Sequence, residues 1–364
     1  MKKGLLFLIQ ALFLFSCAPQ NPSTTSSKNT IQIHSVPEVV ELHDEFQKGY
    51  ILDNDVNSID NYGAGSNERS KPKELELSWE QENDSHTYQF HLALDETFQG
   101  ESIFDVKEEK ITLDNLFVGT KYYYYVSSST GSSTISSFQT CDETPRFISI
   151  GGVTNIRDLG GYQIGEKKTK QGLLYRGGRL NYSLKNVKEP TKQITEEGEK
   201  VFKEQLKIKT EIDLRGLSDN GYGDELYSVV EGVNYVSCPC EYGSGSHFVI
   251  EDNYPSYVKC LETIADKNNY PIYFHCSIGT DRTGFISYLI NGLLGVQQNL
   301  LYKDYLFSNL GQIGKPRVLY NLKEEYGDAI DELEGKNLSQ KIEAFMLQIG
   351  VKQSTIDSLK TILY

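Results

Sequence analysis

The sequence predicts a chain of two parts in the mixed α/β class. An N-terminal antiparallel β-sandwich covers residues 31–142. An α/β domain covers 146–364, with a mainly parallel central sheet flanked by helices. Between residues 75 and 140, short runs alternate with period two and recur at close spacing, with turn residues between them. From about residue 146, apolar strand runs alternate with helical ones, the texture of a parallel sheet with crossover helices. At 364 residues the chain is too long for one ordinary domain and comfortable for two.

The first residues read as a processing segment. Lys2 and Lys3 precede the apolar run GLLFLIQALFLF, which is too short to span a bilayer. Leu14-Phe15-Ser16-Cys17 follows and resembles a bacterial lipobox, although Phe15 is bulkier than the usual residue there. That resemblance implies a lipoprotein signal peptide over 1–16 and acylation of Cys17, which would anchor the chain to a membrane in the bacterial cell envelope. The other reading is an ordinary secretory signal with an incidental cysteine. Residues 17–30 are rich in Pro, Ser, Thr and Asn and read as a flexible tether. The polar stretch NYGAGSNERSKPKE (61–74) reads as a loop.

Strands are predicted at LELSW (75–79), TYQFHLAL (87–94), ITL (111–113), YYYYV (122–126) and TISSFQT (134–140). LFVGTKYYYYV is similar to an element of fibronectin type III domains, with a leucine, a Gly-Thr turn and a tyrosine leading into a strand. The tyrosine run either stacks on carbohydrate or simply alternates between core and solvent. In the second part, KTEIDL (209–214), NYVSC (234–238) and PIYFHC (271–276) are predicted strands. Helices are predicted at 254–266, 284–294, 299–309, 315–326, 338–350 and 354–363, the last with Ser354 as its cap.

Composition bounds the function. Net charge is −14, from 36 Lys+Arg against 50 Asp+Glu, which argues against nucleic acid as a partner and gives no general attraction to anionic lipid. Of 6 cysteines, five remain once Cys17 is set aside, and an odd remainder suggests a free thiol. No CxxC pair or Cys/His spacing is present, so no structural zinc is predicted.

The chemistry concentrates in HCSIGTDRTG (275–284). A buried strand ends at Cys276 and a helix begins near Arg282, so the residues between form a strand–loop–helix cradle. Its backbone N–H groups can converge on an anion, and the helix N-terminus adds positive potential. The same field favours the Cys276 thiolate. Gly279 lets the backbone curl, Arg282 offers a planar fork for two phosphoryl oxygens, and the Thr283 hydroxyl can reach the sulfur.

These residues resemble the phosphate-binding loop of cysteine-dependent protein tyrosine phosphatases. TNIRDLGGY (154–162), LLYRGGRL (173–180), EIDLRG (211–216) and GVQQNLLYKDYLFSN (295–309) resemble, in order, elements of a bacterial branch with loops like HCxxGKDRTG and an NFRDLGG motif. The resemblance covers about residues 148–364. It implies a cysteinyl-phosphate intermediate on Cys276, hydrolysed by water, with no metal or other cofactor. Ser277, Ile278, Gly279, Thr280 and Thr283 would bind the substrate phosphate. Asp281 is the branch's candidate general acid, with Asp213, Asp219, Glu241 and Asp252 as rivals from flanking loops. His275 would brace the loop, and Arg157 with Asp158 would form a buried pair holding the opening turn over it. Arg176, Arg179 and Arg215 either line the pocket or form surface forks. Where the branch carries lysine this chain has Thr280, which weakens a phosphoinositide or inositol polyphosphate substrate and favours phosphotyrosine or a small phosphoester. A non-catalytic envelope binding protein is the reading from another class, and intact Cys276, Arg282 and Thr283 argue against it. A sulfurtransferase fits the Arg-Thr-Gly helix start poorly.

Overall fold

A computed structural model describes residues 31–364 apart from 64–66, 83–86, 183–190, 217–218, 220–226 and 242–248. The processing segment, the tether and Cys17 lie outside the described residues. The protein is a mixed α/β structure.

Two sheets build the N-terminal part. One runs in the order Gln32–Ile33, Leu75–Glu80, Lys110–Leu113; the other in the order Val39–Val40, Ser136–Thr140, Lys121–Ser128, Tyr88–Ala93, Ser102–Val106. All pairs are antiparallel except the short parallel pair of Val39–Val40 with Ser136–Thr140. Residues from both sheets share one core around Trp79, Phe90, Tyr124 and Phe138. Alternation decides which side chains enter it: Tyr122, Tyr124 and Val126 are buried, while Tyr123 and Tyr125 are half-buried on the other face. Tyr125 stacks on His91 with ring centroids 4.1 Å apart. The strand Ser102–Val106, not predicted from the sequence, is an edge whose Ile103 and Phe104 are exposed.

A helix at Glu45–Leu52 is a second element that the sequence reading did not find. Asp44 and Gln47 form its capping box. Tyr50, and Ile59 from the following turn, pack into the core of the C-terminal part, with Tyr50 edge-on to Phe307 at 5.2 Å. Lys303 Nζ donates to the carbonyls of Tyr50 and Ile51 at 3.0 Å and of Asp53 at 2.5 Å, capping the helix C-terminus. Residues 44–62 thus lie within the 31–142 stretch yet join the second core.

The C-terminal part is organised by a five-stranded sheet in the order Asn234–Cys240, Thr210–Arg215, Ile272–His275, Leu174–Gly177, Arg157–Asp158. The first four are mutually parallel, and the last is an antiparallel edge. The helix Asp281–Leu294 is buried around its whole circumference, as expected for an element sandwiched between a sheet and other helices. Two expectations need correction. Residues 315–318 are not helical; an α-helical turn at Leu319–Leu322 and a π-helical one at Lys323–Gly327 follow. The last helix begins at Gln353 with Lys352 as N-cap, so Ser354 lies inside it. Among the described residues no helix is long and apolar enough to cross a membrane.

Candidate active site

Cys276 stands at the C-terminal end of the strand Ile272–His275, in the middle of the sheet, and the helix Asp281–Leu294 starts five residues later. The loop between them is held from outside by its carbonyls. The Arg179 N–H donates to Ser277 O at 3.3 Å, Asn155 Nδ2 to Ile278 O at 2.9 Å, and a buried Arg176 nitrogen to Gly279 O at 2.7 Å and Thr280 O at 3.3 Å. In a trans peptide the N–H opposes the C=O. Tying these carbonyls to neighbours therefore turns the N–H groups of the next residues the opposite way, as an anion-binding loop requires. Gly279 has φ +72°, and a Cβ there would stand 2.3 Å from the Gly177 carbonyl carbon and oxygen, so the loop closes only with glycine at this place.

Electrostatics favour a thiolate. Burial alone would push the Cys276 thiol up, but the Arg282 charge and the Thr283 hydroxyl and N–H more than offset it, and the pKa lies below that of an ordinary cysteine. His275 braces the strand end: one ring nitrogen contacts Cys276 O at 2.9 Å and the other Glu211 Oε1 at 2.8 Å. Burial opposes its protonation, but Asp213 and Glu211 hold its pKa above the usual value.

The predicted Arg157–Asp158 pair is not a pair. Successive strand residues point to opposite faces, and each finds another partner. Asp158 binds Arg146 at 2.8 Å. Arg157 Nε binds Asp304 Oδ1 at 2.7 Å, and Arg176 takes the other Asp304 oxygen. Asp304, from the helix Gln298–Leu306, is thus the buried hub between two fully buried arginines, one of which grips the loop. Arg215 turns to Asp213 and Asn181, which pairs its charge, and half-buried Arg179 turns to Gln193 with its guanidinium over Tyr182.

Two carboxylates, Asp281 and Asp219, lie beside the loop, and their settings differ. Both Asp281 oxygens accept from Arg317 at 2.9 Å, and Oδ1 also accepts from Tyr305 at 3.0 Å. Beside it, Glu325 is pushed up to about 7 by burial and then by the Asp281 charge. Asp219 lies instead across the loop mouth. It accepts from both terminal nitrogens of Arg282, one at 2.9 Å, and from the Ser277 hydroxyl at 3.1 Å. Burial raises its pKa, but the bond to Arg282 and its charge bring the net below the usual value. Of the other rivals, Asp213 is fully buried behind the strand in its Arg215 pair, while Glu241 and Asp252 are exposed. Thr280 is buried with its hydroxyl 3.3 Å from Asn155 Nδ2, so this place adds no charge to the mouth. Sequence reasoning did not single out Asn155, Asp304, Glu211 or Arg317, although the first three lie in the quoted runs TNIRDLGGY, GVQQNLLYKDYLFSN and EIDLRG.

A buried cysteine with a lowered pKa beside Arg282, in a loop whose carbonyls are tied to neighbouring side chains, has the parts of an anion-binding nucleophile site. Residues 148–363 match the tyrosine phosphatase family, and the chain belongs to that family. Comparison with solved structures finds the core catalytic domain of the PP-IP phosphatase SIW14 from S. cerevisiae in complex with citrate. It is 19% identical over 43% of this chain and 84% of that one, with a TM-score of 0.29. A second Siw14 catalytic core is 16% identical over 47% and 90%, with a TM-score of 0.28. TpbA from P. aeruginosa is 14% identical over 53% and 86%, with a TM-score of 0.26. No curated protein matches the chain.

Proposed function

We propose that the chain is an exported, lipid-anchored phosphatase that hydrolyses phosphotyrosine, or a small aryl phosphate, through a cysteinyl-phosphate on Cys276. The observation that carries this reading is the Cys276–Arg282 loop with its carbonyls pinned outward. The loop N–H groups and Arg282 hold the phosphoryl oxygens while the sulfur attacks phosphorus and the ester oxygen leaves. Asp219 protonates that oxygen: it faces the loop through Ser277 and Arg282, whereas Arg317 occupies both oxygens of Asp281. A bound phosphate dianion takes Arg282 from Asp219 and raises the Asp219 pKa, which supplies the protonated acid. Water then attacks the cysteinyl-phosphate and the thiolate leaves, with the Thr283 donors steadying the sulfur.

The uncharged, buried Thr280 supports a monophosphate substrate over one with several phosphates. The test is a panel of phosphotyrosine peptides, aryl phosphates, phosphoinositides and inositol pyrophosphates, with Cys276→Ser and Arg282→Met as controls. Turnover of the aryl phosphates that disappears in both variants is expected. Turnover confined to the inositol compounds overturns the substrate assignment, and activity surviving Cys276→Ser overturns the mechanism. Membrane association abolished by Cys17→Ala checks the anchor.

A further inference from the structure

Away from the loop, Glu41, His43 and Cys141 bring a carboxylate oxygen, a ring nitrogen and a sulfur within 4.8 Å of one another. The His43 Nδ1 to Cys141 Sγ distance is 3.6 Å, and Nδ1 to Glu41 Oε1 is 3.3 Å. A tetrahedral zinc ion with ordinary bond lengths of about 2.3 Å to sulfur and about 2.0–2.2 Å to nitrogen and oxygen sets edges of roughly 3.6 Å for S···N and roughly 3.3–3.5 Å for N···O. The two observed separations from His43 Nδ1 match those edges, and the third lies within 4.8 Å.

The surroundings suit a ligand set as well. His43 Nε2 is 2.9 Å from Pro145 O, a contact that places the ring proton on Nε2 and leaves the Nδ1 lone pair facing Glu41 and Cys141. The Leu42 N–H donates to Cys141 Sγ at 3.3 Å, a contact that favours a thiolate, but burial above all and then the Glu41 carboxylate push the thiol up to about 12, so the proton leaves only when a cation takes the sulfur. His43 and Cys141 are buried, while the Glu41 side chain is 23% exposed. A groove of about 380 Å³ lined by Glu41, Lys48, Cys141, Asp142, Glu143 and Lys168 admits solvent for a fourth ligand. Lys48 holds Glu41 Oε2, and the His43 backbone N–H donates to Oε1 at 3.2 Å, which still leaves Oε1 a lone pair for the site; Asp142 is taken by Lys168, and Glu143 acts on the sulfur and on Lys48. A second trio, Glu211, Asp213 and His275, lacks this character, because both Asp213 oxygens accept from Arg215 at 3.0 Å and the three side chains are at most 2% exposed, leaving no solvent for a fourth ligand.

We propose that Glu41 Oε1, His43 Nδ1 and Cys141 Sγ bind a zinc-class divalent cation, with water completing the tetrahedron. Binding releases the Cys141 proton to solvent, and the ion cross-links segments 98 residues apart. It fastens the chain before the Glu45–Leu52 helix to the end of the Ser136–Thr140 strand. His43 itself packs edge-on to Phe147, and Phe147 to Phe307, so the clamp reaches the C-terminal core.

The experiment is a titration of the full chain, stripped of metal and kept reduced, with cobalt(II) and then zinc. One cobalt per chain is expected, with a thiolate-to-cobalt charge-transfer band, tetrahedral visible bands and loss of both on adding zinc. Zinc should also raise the unfolding temperature. Cys141→Ser should remove the charge-transfer band, Cys276→Ser should leave it unchanged, and Glu41→Gln, at a partly exposed position, should weaken zinc by roughly tenfold or more. The proposal is overturned if no stoichiometric band forms, or if the band survives Cys141→Ser. Should Cys141→Ser fail to fold, an unchanged affinity in Glu41→Gln overturns it just as well.

Discussion

Asp219→Asn separates two effects that the free protein combines. In the ground state the Asp219 carboxylate occupies Arg282, in a pair whose side chains are 17% and 4% exposed. Hydrogen bonds between such charged, largely buried groups contribute about 1.5–3 kcal/mol. A substrate phosphate must displace that interaction, so removing the charge should leave KM unchanged or lower it, by up to about tenfold for each 1.4 kcal/mol recovered. In the transition state the same substitution removes the proton donor, which costs about 10²–10⁴ in kcat when the leaving group is as basic as tyrosine. The assay is steady-state kcat and KM on a phosphotyrosine peptide and on p-nitrophenyl phosphate, whose leaving group needs little protonation. The expected pattern is a fall in kcat of at least about 100-fold on the peptide, a much smaller fall on the nitrophenyl ester, and no rise in KM. A peptide kcat within about threefold of the parent would refute the assignment, and the same loss in Asp281→Asn with an intact fold would move the role there.

Two further outcomes follow from buried charges. Alkylation of Cys276 by iodoacetamide should rise with pH through a midpoint below the roughly 8.5 of a free cysteine, because thiolate forms earlier there; Arg282→Met should move the midpoint up, and a parent midpoint at or above 8.5 counts against the thiolate. Asp304→Asn should destabilise by about 3–5 kcal/mol in denaturant melts, since it strands Arg157 and Arg176 without their carboxylate, and a loss under about 1 kcal/mol contradicts the hub. Burial alone would raise the Asp304 pKa, but Arg157 and Arg176 hold it below the usual range. Its contribution is therefore complete above the unfolded aspartate pKa of about 3.9 and is lost as pH falls through the lower folded value.

The loop was legible in the sequence because its chemistry is contiguous. Cys276, Gly279, Arg282 and Thr283 occupy one strand–loop–helix turn, and local geometry decides what they can do. Many of the sheet strands were legible for a similar reason, since burial on one or both faces writes itself into the run, whereas the exposed edge Ser102–Val106 carries no such pattern and escaped. What escaped depends on residues far apart in the chain. Asp304 meets Arg157 and Arg176 across 147 and 128 residues, and Asn155 reaches the loop across 123. The Glu45–Leu52 helix escaped because it is 8 residues long, carries Gly49, and draws its stability from Tyr50 docking and Lys303 capping rather than from its own pattern. The helical pattern of 315–326 misled at its start, where Asn309 takes the Arg317 backbone and Asp281 the Arg317 guanidinium.

The docking of Tyr50 and Ile59 has a practical consequence for dissecting the protein. The segment that matches the phosphatase family begins at residue 148, so a catalytic fragment would naturally be cut there. Such a cut removes two aromatic and aliphatic plugs from the larger core and leaves Phe307 and Lys303 facing water where they now face Tyr50. The stretch defined by ancestry and the stretch able to fold unaided therefore have different lengths. A soluble catalytic fragment should start upstream of Asp44, which carries both sheets along with it.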